Sequence, residues 1–213
     1  MPPTQWRTLH NKVHHSNTNN ENDPDRNYLH QQPRTWASWI HKVIVPSLEV
    51  NPIGLIIGMG TAWGFHDFRN LTSVLLFPNA DADYVPAAFA VSAGDRRKIV
   101  GELGLITLLH LGLIATLGFK FWNLALGYFL PIALGHAIGM FYIYTNHLVC
   151  PMTSVNDPLI NSVSLKVPAI FNCLHLNFSY HTEHHIFPGL NSDYYPQAQA
   201  LLLEHYPDRF NLI

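Results

Sequence analysis

The sequence predicts a mainly α-helical integral membrane protein, a transmembrane helical hairpin with a cytoplasmic helical cap that carries clustered histidines. Three observations lead there. Of the 213 residues 48% are hydrophobic and only 12% charged, which is low in charge for a soluble protein. That average conceals two kinds of sequence, because the first forty residues are polar and rich in His and Asn whereas residues 99–147 are almost free of charge. Finally, six of the fourteen histidines fall into two short clusters, one on either side of the apolar zone.

We expect a single domain over 1–213 with three parts. Residues 1–98 form a cytoplasmic and interfacial part with the first His cluster, 99–147 the hairpin, and 148–213 a cytoplasmic part with the second cluster. The opening, Met1 to Asn27, is polar and has no apolar core of the kind a signal peptide needs, so insertion is expected from the interior. Ser16 to Asn27 reads as a polar loop rich in Asn and Asp. Residues 43–64 are apolar but interrupted by Pro46, Glu49, Asn51 and Pro52, which leaves Ile53 to Gly64 too short to span. An interfacial or re-entrant helix is expected there, with a third span from about Ile40 to Gly64 as the alternative.

The hairpin follows from bilayer thickness. A hydrocarbon core of about 30 Å needs roughly 20 helical residues, with a lower limit near 17. Leu103 to Phe119 is charge-free, and beyond Lys120 a second charge-free stretch runs from Phe121 to Asn156. The turn is expected near Gly118, Lys120 and Asn123 with Trp122 as an interfacial anchor, and Pro131 is expected to kink the second helix. Arg96, Arg97 and Lys98 precede the hairpin and only Lys120 lies in its turn, so the positive-inside rule places both ends in the cytoplasm.

The net charge of -2 and the dispersed Lys and Arg leave no basic stripe, which excludes nucleic acid as the expected partner. Cys150 and Cys173 lack a Cys-x-x-Cys spacing and a disulfide-rich context, and suggest reduced thiols on a cytoplasmic face.

The chemistry is expected from histidine. LHNKVHH supplies His10, His14 and His15, and YHTEHH supplies His181, His184 and His185. On an α-helix residues i, i+3 and i+4 share a face, so the second trio can point into one cavity and His10 can share a face with His14. His15 lies about 100° further round, so it serves the other side of a metal pair or requires local unwinding. Neutral imidazole binds iron, copper, nickel and zinc, and a nitrogen-dominated cage argues against magnesium and calcium. His147, at the end of the second span in YIYTNH, is either a further ligand or a polar cap, and Asn146 can hold a metal-bound water or a hydrogen bond behind the ligands. His136 lies deeper and is a weaker candidate. His30, His41, His66, His110, His175 and His205 have no partner at helical spacing and read as structural. For His110, within the first span, a hydrogen bond to the neighbouring helix and a functional role are equally good explanations. Glu183 points away from His181 and His185, which fits a supporting or surface role rather than ligation.

The phrases WRTLHNKVHHSNTN, YTNHLVCPMT and HLNFSYHTEHHIFPGLN resemble the second histidine box, the last membrane-helix exit and the third histidine box of membrane fatty acid desaturases, and the likeness extends to the YPDRFNL ending. This resemblance implies O₂-dependent removal of two hydrogens from an acyl chain at two non-haem irons. It assigns His10, His14 and His15 to the second box and His181, His184 and His185 to the third. With His147 these form the expected metal set. It also implies a lipid acyl substrate, the membrane, and a separate electron donor such as ferredoxin or cytochrome b5.

The family's first box, His-x-x-x-His or His-x-x-x-x-His, has no counterpart before Trp6. The 213-residue chain is therefore expected to be an N-terminally incomplete desaturase, inactive alone and rescued by an upstream hairpin with that box. Two other readings stand beside it: a sibling oxygenase such as a carotenoid or sphingolipid hydroxylase, a ketolase or an alkane hydroxylase, and a non-catalytic metal-binding protein. A hydrolytic zinc site is disfavoured, since six clustered imidazoles exceed its need.

Overall fold

The computed structural model describes residues 1–20, 23, 71, 75, 91–148 and 150–213. The expected interfacial segment at 43–64, and His30, His41 and His66, lie outside the described residues. Helix α1 (Pro3–Arg7) starts on prolines suited to a first turn, passes through a π-helical stretch (Thr8–His14) and ends in α2 (His15–Asn17). The hairpin consists of α3 (Ala93–Thr116) and α4 (Phe121–His147). The remainder holds α5 (Pro158–Asn161), α6 (Ala169–Leu174), α7 (His181–Ile186), a 3₁₀ turn (Ser192–Tyr194) and α8 (Tyr195–His205). Among the described residues the β pairing is a single parallel bridge, Ser164 to Leu212.

Helix α3 starts ten residues before the charge-free run. Ser92 caps it, its Oγ accepting from Asp95 N–H at 3.0 Å, so Arg96, Arg97, Lys98 and Glu102 all ride on the first turns of a continuous helix. Both helices are long and apolar enough to cross a membrane, and their leucines face outward, Leu105 60% and Leu108 68% exposed. Side chains that would face no water there bond internally: Thr107 to the Leu103 carbonyl at 2.8 Å, and Tyr128 to His110 across the two helices at 2.9 Å. That contact is the neighbour-helix hydrogen bond expected for His110.

The turn falls where expected. Gly118 and Phe119 adopt left-handed φ of 69° and 56°, and Asn123 Nδ2 closes the turn onto the Leu117 carbonyl at 3.0 Å. Pro131 is accommodated by a π-helical stretch (Ala125–Phe129) just before it, in which Leu130 N–H reaches back to Ala125 O. Gly127 lets the helices approach, since a Cβ there would sit 3.2 Å from the Leu117 side chain.

Cap and hairpin meet at the N-terminus. Glu102 accepts from the Thr4 backbone N–H at 2.8 Å and from the Thr4 hydroxyl at 2.6 Å, so one carboxylate on α3 satisfies an orphan donor of α1. Leu9 and Ile99 are fully buried. The C-terminal tail closes the other side: Phe210 packs on Leu159 and Leu202, Asn211 Nδ2 bonds the Leu159 carbonyl at 2.9 Å, and Arg209 pairs with Asp157. Hydrogen bonds to a charged group contribute about 1.5–3 kcal/mol. Glu102→Ala should therefore lower the apparent Tm in detergent and loosen α1, with Glu102→Gln intermediate; an unchanged melting curve for Glu102→Ala would show that α1 is held elsewhere.

Candidate metal centre

The π winding decides how the first cluster is presented. His15 N–H bonds His10 O, five residues back, and the wider turn brings the two rings together with their Nε2 atoms 3.2 Å apart. His10 and His14 keep the face expected of them, and the winding changes only their grouping. Their rings still stack, with centroids 5.1 Å apart, but His10 groups with His15 and His14 goes to a second group. The rotation between neighbours on a helix splits the vicinal pair 184/185 in the same way. One group is His10, His15 and His184, and the other is His14, His147 and His185, with the ligand atoms of each within 4.8 Å of one another.

In the first group the Nε2 atoms form a near-equilateral triangle, His10–His184 3.3 Å, His10–His15 3.2 Å and His15–His184 3.1 Å. In the second, His185 Nε2 lies 3.2 Å from His147 Nε2, and His181 Nε2 lies 2.7 Å from His147 and 3.1 Å from His185. All seven histidines expected from the sequence thus converge. Asn146, the neighbour of His147, is fully buried with neither side-chain amide atom hydrogen-bonded, and Val163 N–H bonds its carbonyl at 3.0 Å. His136 belongs to neither group.

What stands behind the rings fixes their tautomers. His14 Nδ1 lies 2.8 Å from the buried Asp23 carboxylate, so it carries the proton and Nε2 keeps its lone pair. His147 Nδ1–H faces the Asn161 carbonyl at 3.2 Å, with the same result. Thr18 donates its hydroxyl proton to the His14 carbonyl at 3.0 Å and so must accept from His185 Nδ1, 3.2 Å away. Three Nε2 lone pairs therefore point into one volume, where imidazoles cannot hydrogen-bond to one another. An electrophile between them resolves this. Imidazole–metal bonds of about 2.0–2.1 Å, as known for zinc, would hold two nitrogens of one ion roughly 3 Å apart. The residues present fit a metal. His181 differs, since its Nδ1 is buried without a hydrogen-bond partner.

Electrostatics agree. Burial holds the His181 and His185 imidazoles well below their ordinary pKa, and the neighbouring imidazoles, His147 first for His181 and His181 first for His185, lower them further. Burial and then His14 bring His184 down to about 4. The depressed pKa values of His181, His184 and His185 favour the neutral imidazole, the form that ligates.

Several supporting residues escaped the sequence reading. Asp23 lies in the Asn- and Asp-rich loop, but nothing in that composition singles it out. Asn19, in a left-handed conformation (φ 55°), donates to the His147 and Asn161 carbonyls, each at 2.9 Å, while its own N–H bonds Asp23 Oδ2 at 2.7 Å. Tyr195 OH sits 3.1 Å from His184 Nδ1. Of the two roles expected for Glu183 the burial favours the supporting one: Ser164 donates to it at 2.5 Å and Gln199 at 2.7 Å. Burial pushes its carboxyl upward, partly offset by those hydrogen bonds. Ser164 Oγ also accepts from Thr182 N–H at 3.0 Å, which ties α7 to the strand-like C-terminus.

A hairpin of two helices long and apolar enough to cross a membrane, capped by two facing imidazole groups that could hold metal, defines a class, the histidine-cage membrane proteins. Within it, the family model for Fatty acid desaturase matches residues 1–212, and the chain belongs to that family. Searches of curated proteins and of solved structures find no match.

Two outcomes follow. Removing a group that orients a metal-bound imidazole commonly weakens metal binding about 10–100-fold, and Asp23→Ala should do so in a chelator-competition titration. Retention equal to wild type would remove Asp23 from the site. For the metal-free protein, imidazoles with folded pKa values depressed from 6.5 bind protons more readily when unfolded. Stability is thus fully present above the unfolded value and lost as pH falls from about 6.5 toward 4. Melting of the metal-free form at stepped pH checks the sign.

Proposed function

We propose that this protein is an O₂-dependent fatty acid desaturase that introduces a double bond into a lipid acyl chain, with one iron held by His10, His15 and His184 and a second by His14, His147 and His185, with His181 beside it. The observation that carries the reading is the convergence of imidazole lone pairs in two adjacent groups, in a chain of this family. Such ions supply the reduction of O₂ and the removal of hydrogen from two neighbouring methylenes, which no side-chain acid or base achieves.

The chain's own residues do the rest. Asp23, the Asn161 carbonyl and Thr18 hold protons on Nδ1 and keep Nε2 directed inward. Tyr195 and the Glu183 clamp fix the orientation of α7. The buried His14, His147 and His185 keep water from the inner group, while His15 and His184 are partly exposed and stand toward the side from which a reductant reaches the site. Because Arg96, Arg97 and Lys98 lie on the first turns of α3 and Lys120 alone lies in the turn between the hairpin helices, we place the cap in the cytoplasm, where a separate ferredoxin or cytochrome b5 supplies electrons.

The test pairs metal analysis with lipid analysis. In a desaturase-deficient host supplied with a donor, a form extended upstream by a hairpin with a His-x-x-x-His box should yield new double bonds and two irons per chain. His184→Ala should lower iron content and abolish unsaturation together. Hydroxylated acyl chains instead of olefins would assign the sibling oxygenase chemistry, and full iron in His184→Ala would exclude that residue as a ligand.

A further inference from the structure

Helix α6 is inside out for a segment facing water. Ile170, Phe171 and Leu174, at spacings that share a helical face, are 61%, 50% and 72% exposed, and Leu176 just beyond is 79% exposed. The polar residues turn inward instead. Asn172 Oδ1 accepts from Ser179 Oγ at 2.5 Å, and half-buried His175 accepts from Phe178 N–H at 3.1 Å through Nδ1.

The segment is held firmly. Asn177 N–H bonds the Asn172 carbonyl at 2.8 Å, Asn177 Nδ2 bonds Ser192 O at 3.0 Å, and Leu165 N–H bonds Ser179 O at 2.9 Å. Leu176 adopts a left-handed φ of 55°. That conformation is unfavourable for a residue with a side chain, and at 79% exposure this leucine gains little packing inside the protein.

Its position says what covers it. Tyr142, on α4 just below the metal groups, packs against His175 with ring centroids 5.1 Å apart and against Phe178 at 5.4 Å. The exposed apolar side chains of α6 thus belong to a segment anchored on α4, where Ile138 and Phe141 are exposed as well. Between Asp157 and Glu183 the sole Lys, Arg, Asp or Glu is Lys166, which is exposed at the start of the segment, an arrangement suited to lipid headgroups. A six-residue helix presenting a few side chains is small beside the roughly 800 Å² per partner of a stable protein interface.

We propose that residues 166–178 form an in-plane membrane element whose occupant is the phospholipid bilayer itself. It seats the α7 histidines at the level of the headgroups, through Phe178, which touches both Tyr142 and His181. This reading rests on the membrane placement of the hairpin and is independent of the metal assignment.

The test uses the full chain in vesicles of phosphatidylcholine and phosphatidylglycerol, with Cys150→Ala and Cys173→Ala as background. Nitroxides are placed singly through Leu174→Cys and Leu176→Cys, with Leu108→Cys on the hairpin and Leu201→Cys on exposed α8 as references. Collisions with apolar O₂ and with a water-soluble nickel chelate are measured. The labels at 174 and 176 should favour O₂ several-fold more than the label at 201, matching 108 in direction. Chelate access at 174 and 176 with lipid-like behaviour at 108 overturns the proposal, as does protection from both reagents, which would mean protein covers the face. Water-like behaviour at 108 as well overturns the membrane reading of the hairpin, and this inference with it.

Discussion

Everything in the cap answers one constraint: imidazole nitrogens with lone pairs must face one another across about 3 Å in a buried volume. Such an arrangement is unfavourable by itself, because the groups are stripped of water and present acceptor to acceptor. It persists when the far sides of the His14, His147 and His185 rings are held by acceptors that keep their protons there. Asp23, the Asn161 carbonyl and the Thr18 hydroxyl are those acceptors, and they come from different parts of the chain. Asn19 and Asn161 knit them together, since Asn161 Nδ2 bonds the Thr18 carbonyl at 2.6 Å while Asn19 bonds the Asn161 carbonyl. The scaffold behind the rings is thus as specific as the rings.

The same constraint explains why the groups are assembled from segments far apart in sequence. A helix places adjacent residues about 100° apart, so a vicinal His–His pair cannot serve a single ion easily but can straddle two. His14 and His15 fall one to each group, as do His184 and His185, and each group draws on both clusters. Holding two short helices face to face at this accuracy requires a common support. The hairpin is that support: Glu102 grips the start of α1, and α4 delivers His147 into the inner group.

Sequence reading recovered the parts governed by local rules. The hairpin was legible because bilayer thickness sets a length that charge-free runs either meet or miss, and the turn at Gly118 because a left-handed residue is needed there. The seven converging histidines were legible from spacing and from the position of His147 at a helix exit. The pairing of His10 with His15 was not, because it depends on π winding, and nothing in LHNKVHH distinguishes that from an α-helix. Asp23 was hidden for a different reason. A carboxylate in an Asn-rich loop looks solvent-exposed until His14 and Asn19 pack against it, whereas spacing left Glu183 a supporting or a surface role and only the contacts of Ser164 and Gln199 decide between them.

A metal held by these groups would couple its binding to the folding of the cap. Without an ion, the converging lone pairs and the buried, low-pKa imidazoles resist the folded arrangement, and acid makes the resistance worse. With an ion bound to the folded form alone, that same convergence becomes the favourable term, in proportion to the logarithm of metal concentration over its dissociation constant. The acceptors behind the rings act on both sides of this balance. They fix the ligating tautomer before the ion arrives, so less ordering remains to be done on binding, and they do so from helices whose ends are anchored to the hairpin. A cap that floated free of the membrane helices would have to recover that order from the metal alone.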